Sequence, residues 1–277
     1  FLRINMKFKL SRRSLIKILC GLSLSFFNSN AWAKICLPSQ TLEQSMGPFF
    51  PDRKDPAFPI REDSNKSLSW AEANDNNLTF IKGFSGVARG QVICLTGSCL
   101  DDKCKPVIGA KITLWQANSF GRYNHLGDRS FIRFKHPQNG ETLERQNDPN
   151  FQHWGHTLSD SQGKYTFKTI IPGFYPADLK SQWFRPPHLH FLVEAKGYSI
   201  LITQTYFRGN DIPDCEWIQY LNSRDYVLRN TGSLEDQNRL IVEYKRKSDK
   251  SDELSGTFNF HLNKLKGLKY FFDFYKG

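Results

Sequence analysis

At 277 residues the chain has room for one large domain or two small ones, and its 39% hydrophobic and 14% aromatic content is enough for a buried core. The formal charge of +11 does not mark a nucleic-acid binder. Six of the 38 basic residues fall within residues 1–33, which hold no Asp or Glu, and the remainder sets 32 basic against 27 acidic residues with no dense basic run interleaved with aromatics.

The amino end reads as an export signal over residues 1–33. Met6 is a plausible start, Ser11-Arg12-Arg13-Ser14-Leu15-Ile16-Lys17 has the twin-arginine pattern, and an apolar run over Ile18–Phe27 leads to the small-x-small cleavage pattern Ala31-Trp32-Ala33. That run is too short to span a bilayer comfortably, so no stable membrane span is expected. A twin-arginine route exports folded protein, which suits a cofactor loaded in the cytoplasm, and implies a periplasmic or secreted location. A general secretory signal with two incidental arginines is the alternative. Beyond the signal lie Cys36, Cys94, Cys99, Cys104 and Cys215. An oxidising compartment favours disulfides, and the odd count leaves a thiol over. Cys94, Cys99 and Cys104 flank one apparent hairpin tip, so a bridge among them is expected, with the connectivity open.

Residues 34–77 are rich in Pro, Ser and Asn and include the stiff Gly47-Pro48-Phe49-Phe50-Pro51. They are expected to form an extended N-terminal arm over the body. Residues 78–277 form the expected domain, in which short strands alternate with turns. Gly86–Cys94 reads as a strand, Thr96–Lys105 as a turn, and Ala110–Gln116 as an alternating strand. Gly163–Ile170, His188–Glu194, Ile200–Phe207 and Gly256–Leu262 follow as strands. Only Glu216–Arg229 has helical periodicity, and the charged run Lys245–Lys250 reads as a solvated loop. The pattern predicts an all-β fold, an antiparallel β-sandwich with long functional loops.

Chemistry concentrates in three places. Trp115–Tyr123 is a strand running into a Gly turn that presents Tyr123; Pro172-Gly173-Phe174-Tyr175-Pro176 holds Tyr175 in a stiff turn; and His188 and His190 sit two apart on a strand, sharing a face. A histidine pair alone is equally read as an ordinary hydrogen-bonded strand, and each tyrosine alone as a core aromatic. Together they form a ligand set that selects a hard trivalent ion: phenolates are hard oxygen donors and imidazole suits iron. Two tyrosinates and a hydroxide would neutralise Fe(III), which makes its burial tolerable.

At these residues the sequence resembles the intradiol ring-cleavage dioxygenases, closest to the protocatechuate 3,4-dioxygenase beta subunit. The resemblance runs from about Gly86 to Cys215 through WQANSFGRYNH, DPNFQHWGHTLSDSQGKYTF, TIIPGFYP, WFRPPHLHF and LITQTYF, and GPFFP resembles a segment near the start of family members. No long helical amino-terminal dimerisation segment is visible, which favours the protocatechuate-like branch. The resemblance implies a non-haem Fe(III) site with Tyr123 and His188 as equatorial and Tyr175 and His190 as axial ligands. It implies Arg185 and Gln204 as active-site residues, and Tyr175 as the ligand that leaves when substrate binds. The implied partners are a catecholic substrate and O2, with a homo-oligomer or an alpha-type partner subunit. A noncatalytic partner subunit of the same fold is the alternative. Ala177, where protocatechuate enzymes tend to carry an aromatic, and the loop Asp178–Trp183 depart from the family pattern, which leaves the ring substituent open.

Overall fold

A computed structural model describes residues 39–51, 73–248 and 251–265. The chain divides into two units, Phe1–Leu37 and Pro38–Gly277. The proposed signal therefore lies outside the described residues, as does the middle of the proposed arm.

The domain is a β-sandwich. One sheet is organised around β1 (Val92–Asp101) and the other around β9 (His188–Glu194). β1 pairs antiparallel with β6 (Lys164–Ile170) along one edge. Along the other edge it pairs parallel with β13 (Leu254–Thr257) and then β14 (Phe260–Leu262), and β12 (Lys245–Arg246) extends the sheet beyond β13. The second sheet runs β11 (Ile241–Glu243), β10 (Leu201–Arg208), β9, β2 (Lys111–Trp115), β5 (Trp154–Leu158); all its pairs are antiparallel except β10 with β11. Hairpins β3 (Arg133–Lys135) with β4 (Thr142–Glu144), and β7 (Tyr175–Asp178) with β8 (Trp183–Arg185), stand off these sheets. The sandwich is thus mixed rather than wholly antiparallel, because β13 and β14 run beside β1, and β11 beside β10, in the same direction.

Alternation explains the layers. In β6, Tyr165, Phe167 and Thr169 are buried while Lys164, Thr166 and Lys168 face solvent. β9 is buried on both faces: Leu189, Phe191 and Val193 join Ile93, Leu95, Phe167 and Phe260 in the core between the sheets, while Leu192 belongs to a second cluster with Trp115, Tyr123 and Tyr175. Phe191 spans the core, with its ring 5.1 Å from Phe260 and 6.3 Å from Phe167.

Four further expectations are corrected. The expected turn Thr96–Lys105 is mostly strand, since β1 continues to Asp101 and the reversal lies beyond it. Gly97 is there for packing: a Cβ would come within 1.6 Å of the Phe258 carbonyl oxygen. The expected bridge among Cys94, Cys99 and Cys104 does not form, since Cys94 and Cys99 are free thiols on that long strand. Cys104 is disulfide-bonded, and Cys215 is also free. The expected strand Gly256–Leu262 is broken into β13 and β14. The single expected helix Glu216–Arg229 breaks at Asp225 (φ −71°, ψ 120°) into α1 (Cys215–Arg224) and α2 (Tyr226–Arg229), with Asp225 capping the second through Leu228 N–H. A further helix, α3 (Leu234–Arg239), starts with a capping box at Ser233 and Asp236. Among the described residues no helix is long and apolar enough to cross a membrane.

Candidate metal centre

The outer face of the β9 sheet carries the chemistry. His190 faces Trp115 on β2 and Gln204 on β10 across the ladder, and His188 faces Tyr206. Trp115 stacks on the His190 ring at 4.8 Å and 11°. Two loops bring the tyrosines to this face. Asn118 organises the first: its side-chain oxygen accepts the N–H groups of Phe120 and Arg122, closing the turn that presents Tyr123. The two tyrosine-bearing segments lie in contact because both carry glycine at the crossing. A Cβ on Gly121 (φ +73°) would sit 2.4 Å from the Phe174 carbonyl oxygen, and one on Gly173 would sit 2.4 Å from that of Ser119. Gly173 N–H donates to the Asn118 carbonyl at 2.9 Å, which places the Tyr175 segment beside the Tyr123 loop.

Three atoms converge. Tyr123 Oη lies 3.3 Å from His188 Nε2 and 3.1 Å from His190 Nε2, and the two Nε2 atoms are 3.1 Å apart. The Tyr175 ring completes the group, 5.8 Å from that of Tyr123 and 5.9 Å from that of His188. His188 Nδ1 lies 2.7 Å from the Pro186 carbonyl, which can only accept, so Nδ1 carries the proton and Nε2 offers a bare lone pair. His190 Nδ1 is buried with no partner. Burial and the neighbouring Arg185 hold both imidazoles well below their ordinary pKa, so they are neutral donors. Burial raises both phenols, Tyr123 well above its ordinary value, with Arg185 acting against it in each.

His190 Nδ1 has no partner, so the polar atoms of this cluster are not all satisfied by protein alone. The three facing atoms leave a shared point between them, and edges of 3.1–3.3 Å suit donors each about 2 Å from one ion. The two phenols add hard, charge-bearing oxygens that suit Fe(III). The residues present therefore fit the metal the sequence implied. Among the described residues no cluster of three or more His, Cys, Asp and Glu side chains could hold a metal, so the tyrosines are needed to complete this set.

Arg185 faces Tyr175 across the β7–β8 hairpin. Its Nη2 donates to Gln204 Oε1 at 2.7 Å and its Nε to Asp225 Oδ1 at 2.9 Å. Burial alone would lower its pKa, but the facing Asp225 carboxylate more than offsets that. Gln204 is held in turn by donating to the Ser45 carbonyl at 2.8 Å and accepting from Tyr206 Oη at 3.3 Å. The structure thus brings together every residue the sequence singled out: Tyr123, Tyr175, His188, His190, Arg185 and Gln204.

Several supports escaped the sequence reading. Residues 44–50 wall one side: a Cβ on Gly47 would meet His190 Cε1 at 3.2 Å, Phe49 packs 4.8 Å from the Tyr123 ring, and Phe50 packs edge-on to Trp115. Behind the tyrosines, Arg145 and Asp128 form a sealed ion pair at 2.6 Å. Asp128 accepts Tyr123 N–H at 2.8 Å, Arg145 donates twice to the Gly121 carbonyl, and its guanidinium lies 5.1 Å from the Tyr175 ring centroid. The GPFFP segment was the only local signal for any of these.

A family model described as Dioxygenase matches residues 67–264, and the chain belongs to the intradiol ring-cleaving dioxygenase family. Among individual relatives, the chain is 37% identical over 139 residues to the protocatechuate 3,4-dioxygenase beta chain of Burkholderia cepacia, covering 50% of this chain and 54% of that one. It is 27% identical over 129 residues to the hydroxyquinol 1,2-dioxygenase of a Rhizobium species, covering 43% and 38%. The chain thus spans about half or less of the length of these curated relatives. Among solved structures, the fold is shared with an intradiol ring-cleavage dioxygenase from Tetranychus urticae at a TM-score of 0.52, with 22% identity, covering 82% of this chain and 96% of that one.

Proposed function

We propose that the chain is an exported non-haem Fe(III) dioxygenase that inserts both atoms of O2 into a catechol-type, protocatechuate-like aromatic. The ring would be cleaved between the two hydroxyl-bearing carbons to give a dicarboxylate. The observation that carries this reading is the convergence of Tyr123 Oη, His188 Nε2 and His190 Nε2 beside Tyr175, with the Arg185 guanidinium alongside. When bound, ferric iron supplies Lewis-acid polarisation and a template for the two catechol oxygens.

The chain's own residues do the rest. Neutral His188 and His190 and the oxygens of Tyr123 and Tyr175 hold the metal. Tyr175 Oη is the proton acceptor for a catechol hydroxyl as the substrate enters. Arg185 cannot lose its proton, and its guanidinium, held by Gln204 and Asp225, places fixed positive charge beside the reacting ring, where developing negative charge is stabilised. Gln204 keeps that guanidinium in place, and Phe49, Phe50 and Trp115 keep water from the metal's flank. The protocatechuate preference draws on the Burkholderia relative, itself a beta chain, which also supports an alpha-type partner or self-association. Export draws on Arg12 and Arg13, and an Arg12→Lys, Arg13→Lys double variant should retain the protein in the cytoplasm.

The iron-loaded chain should be red-brown and should consume O2 with one or more of protocatechuate, catechol and hydroxyquinol. Tyr175→Phe should shift the visible band, and His188→Ala should abolish iron retention. A colourless protein that binds no iron after reconstitution sinks the proposal, and an iron-loaded protein inert to all three substrates sinks the activity.

A further inference from the structure

Asp225 lies forty residues from Arg185 in sequence and outside any motif, yet it is wholly buried and touches the substrate side of the site through two other residues. Its Oδ1 accepts from Arg185 Nε at 2.9 Å and from Trp183 Nε1 at 3.1 Å. Its Oδ2 accepts Leu228 N–H at 3.2 Å at the start of α2. Trp183 and Arg185 reach the same oxygen because they are two apart on β8 and share a face. Phe184 between them turns the other way, into a cluster with Phe134, Trp217 and Leu221. Tyr226, the residue after Asp225, packs on the Trp183 ring at 5.2 Å, so the corner between α1 and α2 grips the return strand of the hairpin at two points.

That hairpin carries Tyr175 on its outgoing strand, opposite Arg185. Its tip is the turn that Asp178 closes onto Lys180 and Ser181. One carboxylate therefore ties the guanidinium and the tip to the same helical corner.

We propose that Asp225 is a positioning residue for ring cleavage: it sets the Arg185 guanidinium against the substrate site and, through Trp183, fixes the hairpin bordering that site. Charge placement and loop position are then set together. This rests on the dioxygenase reading above. Substituting Asp225→Asn removes the charge that orients Arg185 while keeping the side chain's size, and Trp183→Phe removes only the indole N–H from the carboxylate.

The test uses the iron-loaded full chain. Asp225→Asn is expected to retain the resting visible band and the change in that band on anaerobic addition of catechol, while kcat falls about 100-fold, the scale for losing one aligned charge-stabilising donor. In an Arg185→Gln background the same substitution should add little further loss, because both act through one group. Trp183→Phe should leave kcat nearly unchanged but raise KM and change the ranking among protocatechuate, catechol and hydroxyquinol. An active parent whose Asp225→Asn variant matches it in kcat, or in which the 100-fold loss recurs in full on Arg185→Gln, overturns the proposal alone. Should Asp225→Asn fail to take up iron, Trp183→Phe decides, and an unchanged KM and ranking overturns it. A parent with no iron and no O2 uptake overturns the dioxygenase reading and this proposal with it.

Discussion

Arg145 shows how far the proposed ligand set depends on residues outside it. Its guanidinium and the Asp128 carboxylate are 2% and 3% exposed, so neither charge can fall back on water. Arg145 donates to both carboxylate oxygens, to the Gly121 carbonyl and to the Ser130 carbonyl, while Asp128 holds Tyr123 N–H. A buried pair of this kind adds little net stability over an apolar replacement, but removing one partner strands the other. Arg145→Met should therefore cost about 3–5 kcal/mol in denaturant unfolding. Because the pair holds the Tyr123 loop by its backbone and the Tyr175 ring by its face, the iron-loaded variant should also show a displaced visible band. A normal band with the same loss of stability would show that the pair serves only the fold.

Among the elements, the segment 39–51 has no regular secondary structure, yet it binds the site sheet as an added edge would. Gln44 N–H donates to the Ile202 carbonyl, Thr203 Oγ1 to the Leu42 carbonyl, and Thr41 N–H to His261 across the other sheet. Gln44 then joins two elements: its Nε2 donates to Thr231 Oγ1 just after α2, and its Oε1 accepts from Tyr206 Oη on β10. Gln44→Ala should lower stability by about 1–2 kcal/mol, two part-buried hydrogen bonds. It should also raise KM, since Tyr206 and Ser45 both brace Gln204; a thermal melt and oxygen-uptake kinetics check the two effects. The strands of the site were legible because their signal is local. Lys164–Ile170 alternates, and the histidine pair on β9 declares its shared face. β1 was not legible across Thr96-Gly97-Ser98, because those residues read as a turn, and the reason for Gly97 is a carbonyl at Phe258, 161 residues away. Asp225 was equally hidden: within an apparently helical run its side chain serves a strand forty residues earlier, and no periodicity records that.

At the scale of the molecule, what the sequence could not show is the closing of β13 and β14 onto β1. β13 and β14 lie parallel to β1, a pairing between residues some 160 apart that no hairpin signal can announce. One buried carboxylate secures that closure. Asp101, at the end of β1, takes Lys103 N–H and Lys105 N–H on Oδ1, folding the turn, and Lys264 Nζ on Oδ2 at 2.7 Å, just past β14. Lys264 also bridges to Tyr198, which precedes β10 in the other sheet, so the contact spans both layers. Burial would raise the Asp101 carboxyl, but the Lys264 ammonium and the two backbone donors bring it down to about 2. The sign follows from the lowered value. Since the folded carboxyl titrates below its unfolded value of 3.8, its stabilisation is complete above that value and is lost as pH falls through about 2. Lys264 is half exposed, so salt should weaken its share while leaving the two backbone donors. The melting temperature of the parent should therefore fall more steeply between pH 4 and pH 2 than that of Asp101→Asn, with the two curves converging at the acid end. Parallel acid limbs for parent and variant would mean that the closure is held by the strand ladder alone.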